Sequence, residues 1–272
     1  MSRVLTELRA AFIKDVRVYV RYPSWIASEF ITLPAWFVLF AVGVASWAPK
    51  GKVTATLGTG DVFTYFYWGF IFLIVFSTAI WGIGQTIRTE QLQGTIEQLF
   101  LAPVSRVTLI SGRFARIFLT DMGIIAYITI LLEFFTHETI LVQNLLALIL
   151  AFALVELAVL GFGLFFAAIT FRIKSFNLLS NLTQLAVIGL CGIFFPLNAL
   201  PSQVRVVSLL IPFTYLADLI RYAAVPNWTP IFPPSIEYPL TLAMGVGLFV
   251  GGLFFFKSTE RRAQQRGGIG TH

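Results

Sequence analysis

The sequence predicts an all-α integral membrane protein: six transmembrane helices, an N-terminal amphipathic interfacial helix, a short cytoplasmic helix and short re-entrant outer helices. Three observations lead there. First, 57% of the 272 residues are hydrophobic and only 12% charged, against about 25% charged in a soluble domain. The mean hydropathy of +0.84 is more apolar surface than a soluble fold of this size can hide. Second, residues 30–49, 62–87, 175–204 and 238–256 contain no Asp, Glu, Lys or Arg, and about 20 apolar residues cross roughly 30 Å of hydrocarbon. Third, with six spans and a cytoplasmic N-terminus, 15 of the 19 Lys and Arg fall on the inner side, as the positive-inside rule requires.

These numbers exclude a soluble enzyme, a disordered chain and a disulfide scaffold. The single cysteine, Cys191, leaves no internal disulfide and no multi-cysteine metal site. The net charge of +6 reads as cytoplasmic segments facing anionic membrane lipid, not as a nucleic-acid surface.

Residues 1–22 form the interfacial helix. Val4, Leu5, Leu8, Phe12, Val16, Tyr19 and Val20 recur at helical spacing, with Arg3, Glu7, Lys14, Arg17 and Arg21 elsewhere on the wheel. This alternation is not that of a cleaved signal peptide. The membrane domain follows over 23–256, with spans near 25–47, 62–86, 114–135, 140–170, 177–196 and 238–256. The third carries Arg116, Asp121 and Glu133, and the fourth only Glu156. Pro196 and Pro201 stop the fifth span. Within the outer region, about 197–225, Val204, Val207 and Leu210, then Leu216, Leu219 and Ile220, keep helical spacing on either side of Pro212. Two helices too short to cross are expected there as re-entrant elements, since irregular backbone at that depth needs protein or water cover. Residues 257–272 form a basic tail, so both termini lie in the cytoplasm of a multi-pass cell-membrane protein.

The second cytoplasmic segment, Arg88–Arg106, carries the functional signal. Gly94 breaks the descending helix. Thr95 and Gln98 have capping-box spacing, and Glu97 puts negative charge in the first turn of a new helix. Pro103 ends it. A two-turn helix over about 95–102 results, with Ile96, Leu99 and Phe100 on its apolar face. Such a helix on a cytoplasmic surface suits the groove of a partner. The plainer reading is a kink and cap between two membrane helices, which leaves that apolar face unexplained.

The order Arg88, Glu90, Gly94-Thr95-Ile96-Glu97, Leu99 and Ala102-Pro103-Val104-Ser105-Arg106 resembles the cytoplasmic loop of type-2 permeases of ATP-binding-cassette (ABC) exporters. Phe195-Pro196-Leu197, Leu200-Pro201, Pro212-Phe213-Thr214-Tyr215, Asp218 and Arg221 resemble the signature of that family's short outer helices. Ile96 stands where the family often has leucine. The resemblance implies that residues 95–102 are the coupling helix, docking on an ABC ATPase subunit. It further implies two ATPase copies beneath two permeases, the second an identical copy in a homodimer. No Gly-x-x-x-x-Gly-Lys-Ser/Thr phosphate loop occurs, so the chain binds no cofactor itself, and ATP and Mg are expected on the partner ATPase. The chain is then a transport subunit, not an enzyme, and its charge-poor spans point to a lipophilic cargo such as a drug, lipid or lipid-linked glycan. An ion- or proton-coupled carrier and a non-transporting scaffold or sensor are the alternatives.

Among the intramembrane charges, Glu156 is the most isolated; it reads either as a packing carboxyl or as part of a pathway. Ala243, Gly247 and Gly251 form a small-residue stripe expected to pack the last span. Tyr22, Trp25, Trp47, Tyr65, Tyr67, Trp68 and Trp228 are expected in an interfacial belt.

Overall fold

The computed structural model describes residues 3–47, 62–84, 106–136, 140, 142–170 and 176–266. Every regular element among them is helical. Helix α1 (Arg3–Arg21) meets α2 (Pro23–Trp47) at Tyr22. Helix α3 (Val62–Ser77) continues without a break into a π-helical segment, Thr78–Gly84. Then come α4 (Arg106–Thr136), α5 (Leu145–Thr170) and α6 (Phe176–Leu190). A 3₁₀ turn at Leu197–Ala199 precedes α7 (Ser202–Leu209), α8 (Pro212–Ala224) and α9 (Pro234–Arg266).

Helix α3 is apolar on every side and forms the centre of the bundle, with Tyr65, Ile71, Phe72 and Phe76 fully buried. The transition into the π segment coincides with two hydroxyls that turn back on the helix. Ser77 donates to the carbonyl of Leu73 at 2.7 Å and Thr78 to that of Val75 at 2.6 Å, competing with the regular backbone ladder. Helices α5 and α9 touch backbone to backbone. A Cβ on Gly252 would fall on the Gly161 carbonyl oxygen, and one on Gly161 would fall on the backbone of Leu248 and Phe249. The predicted stripe lies on another face: Gly247 and Gly251 have open space around their α-carbons. Gly252 is one residue, or about 100° of helix rotation, away from Gly251.

By length and composition, four helical segments among the described residues can span a membrane: Phe63–Gly84, Val107–Phe134, Leu145–Thr170 and Pro234–Arg262. The α7–α8 pair, bent by 87°, makes up to five. Six were predicted. Helix α2 occupies the place of the first predicted span, but α6 has only 15 residues, about 22 Å at 1.5 Å per residue. It ends at Leu190, before either proline. Gly192 follows with φ +71, a left-handed conformation that glycine adopts without Cβ strain. At the other end of the chain, α9 runs on through the basic segment to Arg266.

Helix α1 lies against α4, with Ala11 close to Gly112 and Asp15 paired to Arg113 at 3.0 Å. Leu5 and Val20 on α1 remain exposed. The expected aromatic belt is only partly one. Tyr22 and Trp25 are exposed and stacked on each other, whereas Tyr65, Tyr67 and Trp68 are buried core residues on α3. Their positions follow from α3 being enclosed by its neighbours, which hydropathy near a span end does not reveal.

Candidate functional site

A cleft of about 980 Å³ opens among α1, α2, α3 with its π segment, α4 and α6. Trp25 and Trp36 of α2, Phe70 of α3 and Trp81 of the π segment supply aromatic walls. A polar chain crosses one side of it. The Trp81 indole donates to Gln184 Oε1 at 3.0 Å, Gln184 Nε2 donates to Ser77 Oγ at 2.9 Å, and the Ser77 hydroxyl donates to the Leu73 carbonyl. The wider π turn brings Ser77, Thr78, Trp81 and Gly82 to this wall together, and such turns often accompany functional sites.

The charges are gathered at the α1–α4 side. Arg113 is held by Asp15. Arg116 lies over the Tyr19 ring, 4.7 Å from its centroid, and the Tyr19 hydroxyl donates to Glu29. Burial first, and then this bond to Glu29, push the Tyr19 hydroxyl above its ordinary pKa. Asp121 also lines the cleft, at only 4% exposure. Glu156 of α5 stands behind it, 8% exposed, with Oε1 lacking a hydrogen-bond partner.

A second constellation ties the bent pair to the core. Pro196 precedes the 3₁₀ turn, Pro201 the first turn of α7, and Pro212 is the first residue of α8. The absent N–H of proline costs nothing at a helix start. Thr214 and Tyr215 donate to the carbonyls of Ser208 and Leu209 at 2.7 Å each, satisfying orphan acceptors at the end of α7. Arg221, 3% exposed, donates to the Ile193 carbonyl at 2.6 Å and lies 4.1 Å above the Tyr65 ring centroid. Tyr65 in turn donates to the Gly192 carbonyl at 2.8 Å. Asp218 accepts from the Trp228 indole at 2.8 Å and the Ile231 amide at 2.7 Å. Glu237, fully buried at the start of α9, faces Asp218.

The outer residues named from sequence, Pro196, Pro201, Pro212, Asp218 and Arg221, thus converge on one region. Glu156 lies apart from them, beside Asp121. The coupling residues Glu90, Gly94, Thr95, Ile96, Glu97, Leu99, Phe100 and Pro103 lie outside the described residues. Sequence reasoning missed Glu237, one residue before its predicted last span, and the Trp81–Gln184–Ser77 chain. Gln184 in an uncharged run was the available signal for the latter, because a buried amide needs partners.

No curated protein matches the chain. Residues 49–256 match the family model described as ABC-2 family transporter protein. With the apolar helices of a multi-pass membrane protein and a match over most of its length, the chain belongs to the ABC-2 transporter family, the membrane permeases that work with an ABC ATPase.

Proposed function

We propose that the chain is the permease of an ATP-driven exporter, working as a homodimer over two ABC ATPase subunits that bind ATP and Mg. In this reading it crosses the cell membrane six times, with α2 and α6 among the spans and both termini in the cytoplasm, while α7 and α8 dip into the outer leaflet. The cargo is lipophilic, and it uses the cleft.

The observation that carries this reading is where the chain enters and leaves the segment 85–105. The π segment ends at Gly84 and α4 begins at Arg106, and both wall the cleft through Trp81, Gly82, Arg113 and Arg116. Displacement of a helix at 95–102 by a closing ATPase pair then acts directly on both walls. The aromatic lining supports a lipophilic cargo. Replacement of Leu99 and Phe100 by aspartate tests the docking face: loss of co-purification with the ATPase and of coupled ATP hydrolysis is expected. Association and hydrolysis at unmutated levels would refute it.

A further inference from the structure

We propose that the cleft binds a bulky organic cation, an ammonium or phosphonium on an apolar body, with Asp121 as its counter-charge and indole rings as its walls. This rests on reading the cleft as the cargo site and names the cargo's chemistry. The charged lining comprises Asp15, Glu29, Asp121, Arg113 and Arg116, three acids against two bases. Both bases also have other neighbours. Arg113 is bound to Asp15, and Arg116 sits over Tyr19, whose hydroxyl engages Glu29. Asp121, hydrogen-bonded by Thr78 and attracted by Arg116 of its own helix, has no ion pair among the described residues, and the acids of the lining outnumber the bases by one.

The surroundings of Asp121 reinforce the demand for positive charge. It is nearly enclosed, and Glu156 behind it has an unpartnered oxygen although the residue is more than nine-tenths buried. Two carboxyls in an apolar bundle repel a bound anion, and an ionised one without a counter-charge is strongly disfavoured. Intramembrane acids of this kind face partners or pathways. The aromatic lining of the cleft suits the body of such a ligand. Trp25, Trp36 and Trp81 line it, and indole is the best of the side-chain rings for holding a cation. The volume of about 980 Å³ is at the upper end for a site that encloses a drug-sized molecule.

The test compares two ions of one shape and opposite charge, tetraphenylphosphonium and tetraphenylborate, by equilibrium dialysis against the full-length chain in uncharged maltoside micelles. The unmutated chain is expected to bind the phosphonium saturably and at least about tenfold more tightly than the borate, a difference of about 1.4 kcal/mol. Asp121→Asn is expected to lose about tenfold for the phosphonium. Glu133→Gln removes an acid from the same helix, at the end that accepts the Ile140 amide, and is expected to bind normally. Equal affinity for both ions, or undiminished phosphonium binding by Asp121→Asn, would overturn the proposal. The two-ion comparison needs no variant, so it decides the matter even if Asp121→Asn fails to fold. Added phosphatidylethanolamine competes if the cation arrives as a lipid headgroup and leaves binding unchanged if it arrives free; both results keep the cationic site and identify its source. Because binding is read without ATPase or nucleotide, the site and the transport reading fail independently.

Discussion

Arg221 offers the sharpest test of how the α7–α8 pair is tied to the core, and Arg221→Leu is the informative change. It removes a charge-assisted hydrogen bond at 2.6 Å to the Ile193 carbonyl and a guanidinium 4.1 Å above the Tyr65 ring. The first interaction contributes about 1.5–3 kcal/mol, and a desolvated cation–π contact about 2 kcal/mol. The Ile193 carbonyl also loses its donor in a buried setting. The combined loss is therefore about 3–5 kcal/mol. At roughly 2–4 °C per kcal/mol for a chain of this size class, the melting midpoint in detergent falls by roughly 6–20 °C. Arg221→Lys keeps the charge but lacks the planar fork, so it holds the carbonyl or the ring but not both, and falls by about half as much. Thermal unfolding followed by size-exclusion chromatography on all three proteins reads these shifts. An Arg221→Leu protein that melts within about 2 °C of the unmutated chain would refute the reasoning.

Three further outcomes follow from single contacts. Gly252→Ala is expected to destabilise by about 1–3 kcal/mol, because its Cβ meets backbone that cannot rotate away. The neighbouring Gly251→Ala, with open space around it, is expected to be neutral or slightly stabilising through helix propensity; paired melting curves separate the two. Gln184→Leu strands the Trp81 indole and lowers stability by about 1–3 kcal/mol, with a change in tryptophan emission that is absent in a Trp81→Phe background. For Tyr19, the hydroxyl is raised above its ordinary pKa by burial and by Glu29. The protonated form is thus favoured by the fold, and its stabilisation is complete below about pH 10 and lost as pH rises above it. Ultraviolet titration of the unmutated chain minus Tyr19→Phe is expected to show no tyrosinate step near pH 10. A step there would place Tyr19 in water.

Periodicity and charge gaps made much of the helical order legible, because α1, α3 and α5 each present a clear apolar pattern. The outer prolines were equally informative, since Pro201 and Pro212 stand at the starts of α7 and α8. What escaped notice depends on neighbours that are distant in sequence. Tyr65 and Tyr67 looked interfacial because their burial comes from helices elsewhere in the chain. The packing glycine is Gly252 rather than Gly251, since only the rotation of α9 against Gly161 decides between adjacent glycines. The early end of α6 reflects Gly192, whose carbonyl meets Tyr65 across 127 residues of sequence. At the cleft, individual charges could be named from sequence, but their pairing could not. Arg116, a little over one helical turn from Asp121, lies over the Tyr19 ring of α1.

The central claim is that ATP hydrolysed on a partner subunit moves cargo through this chain. The direct measurement is cargo movement in proteoliposomes holding the chain and its ABC ATPase, with tetraphenylphosphonium as the tracer. Movement that requires ATP, persists without a proton gradient and disappears with Leu99→Asp and Phe100→Asp is the expected result. Movement driven by a proton gradient without ATP would contradict the account.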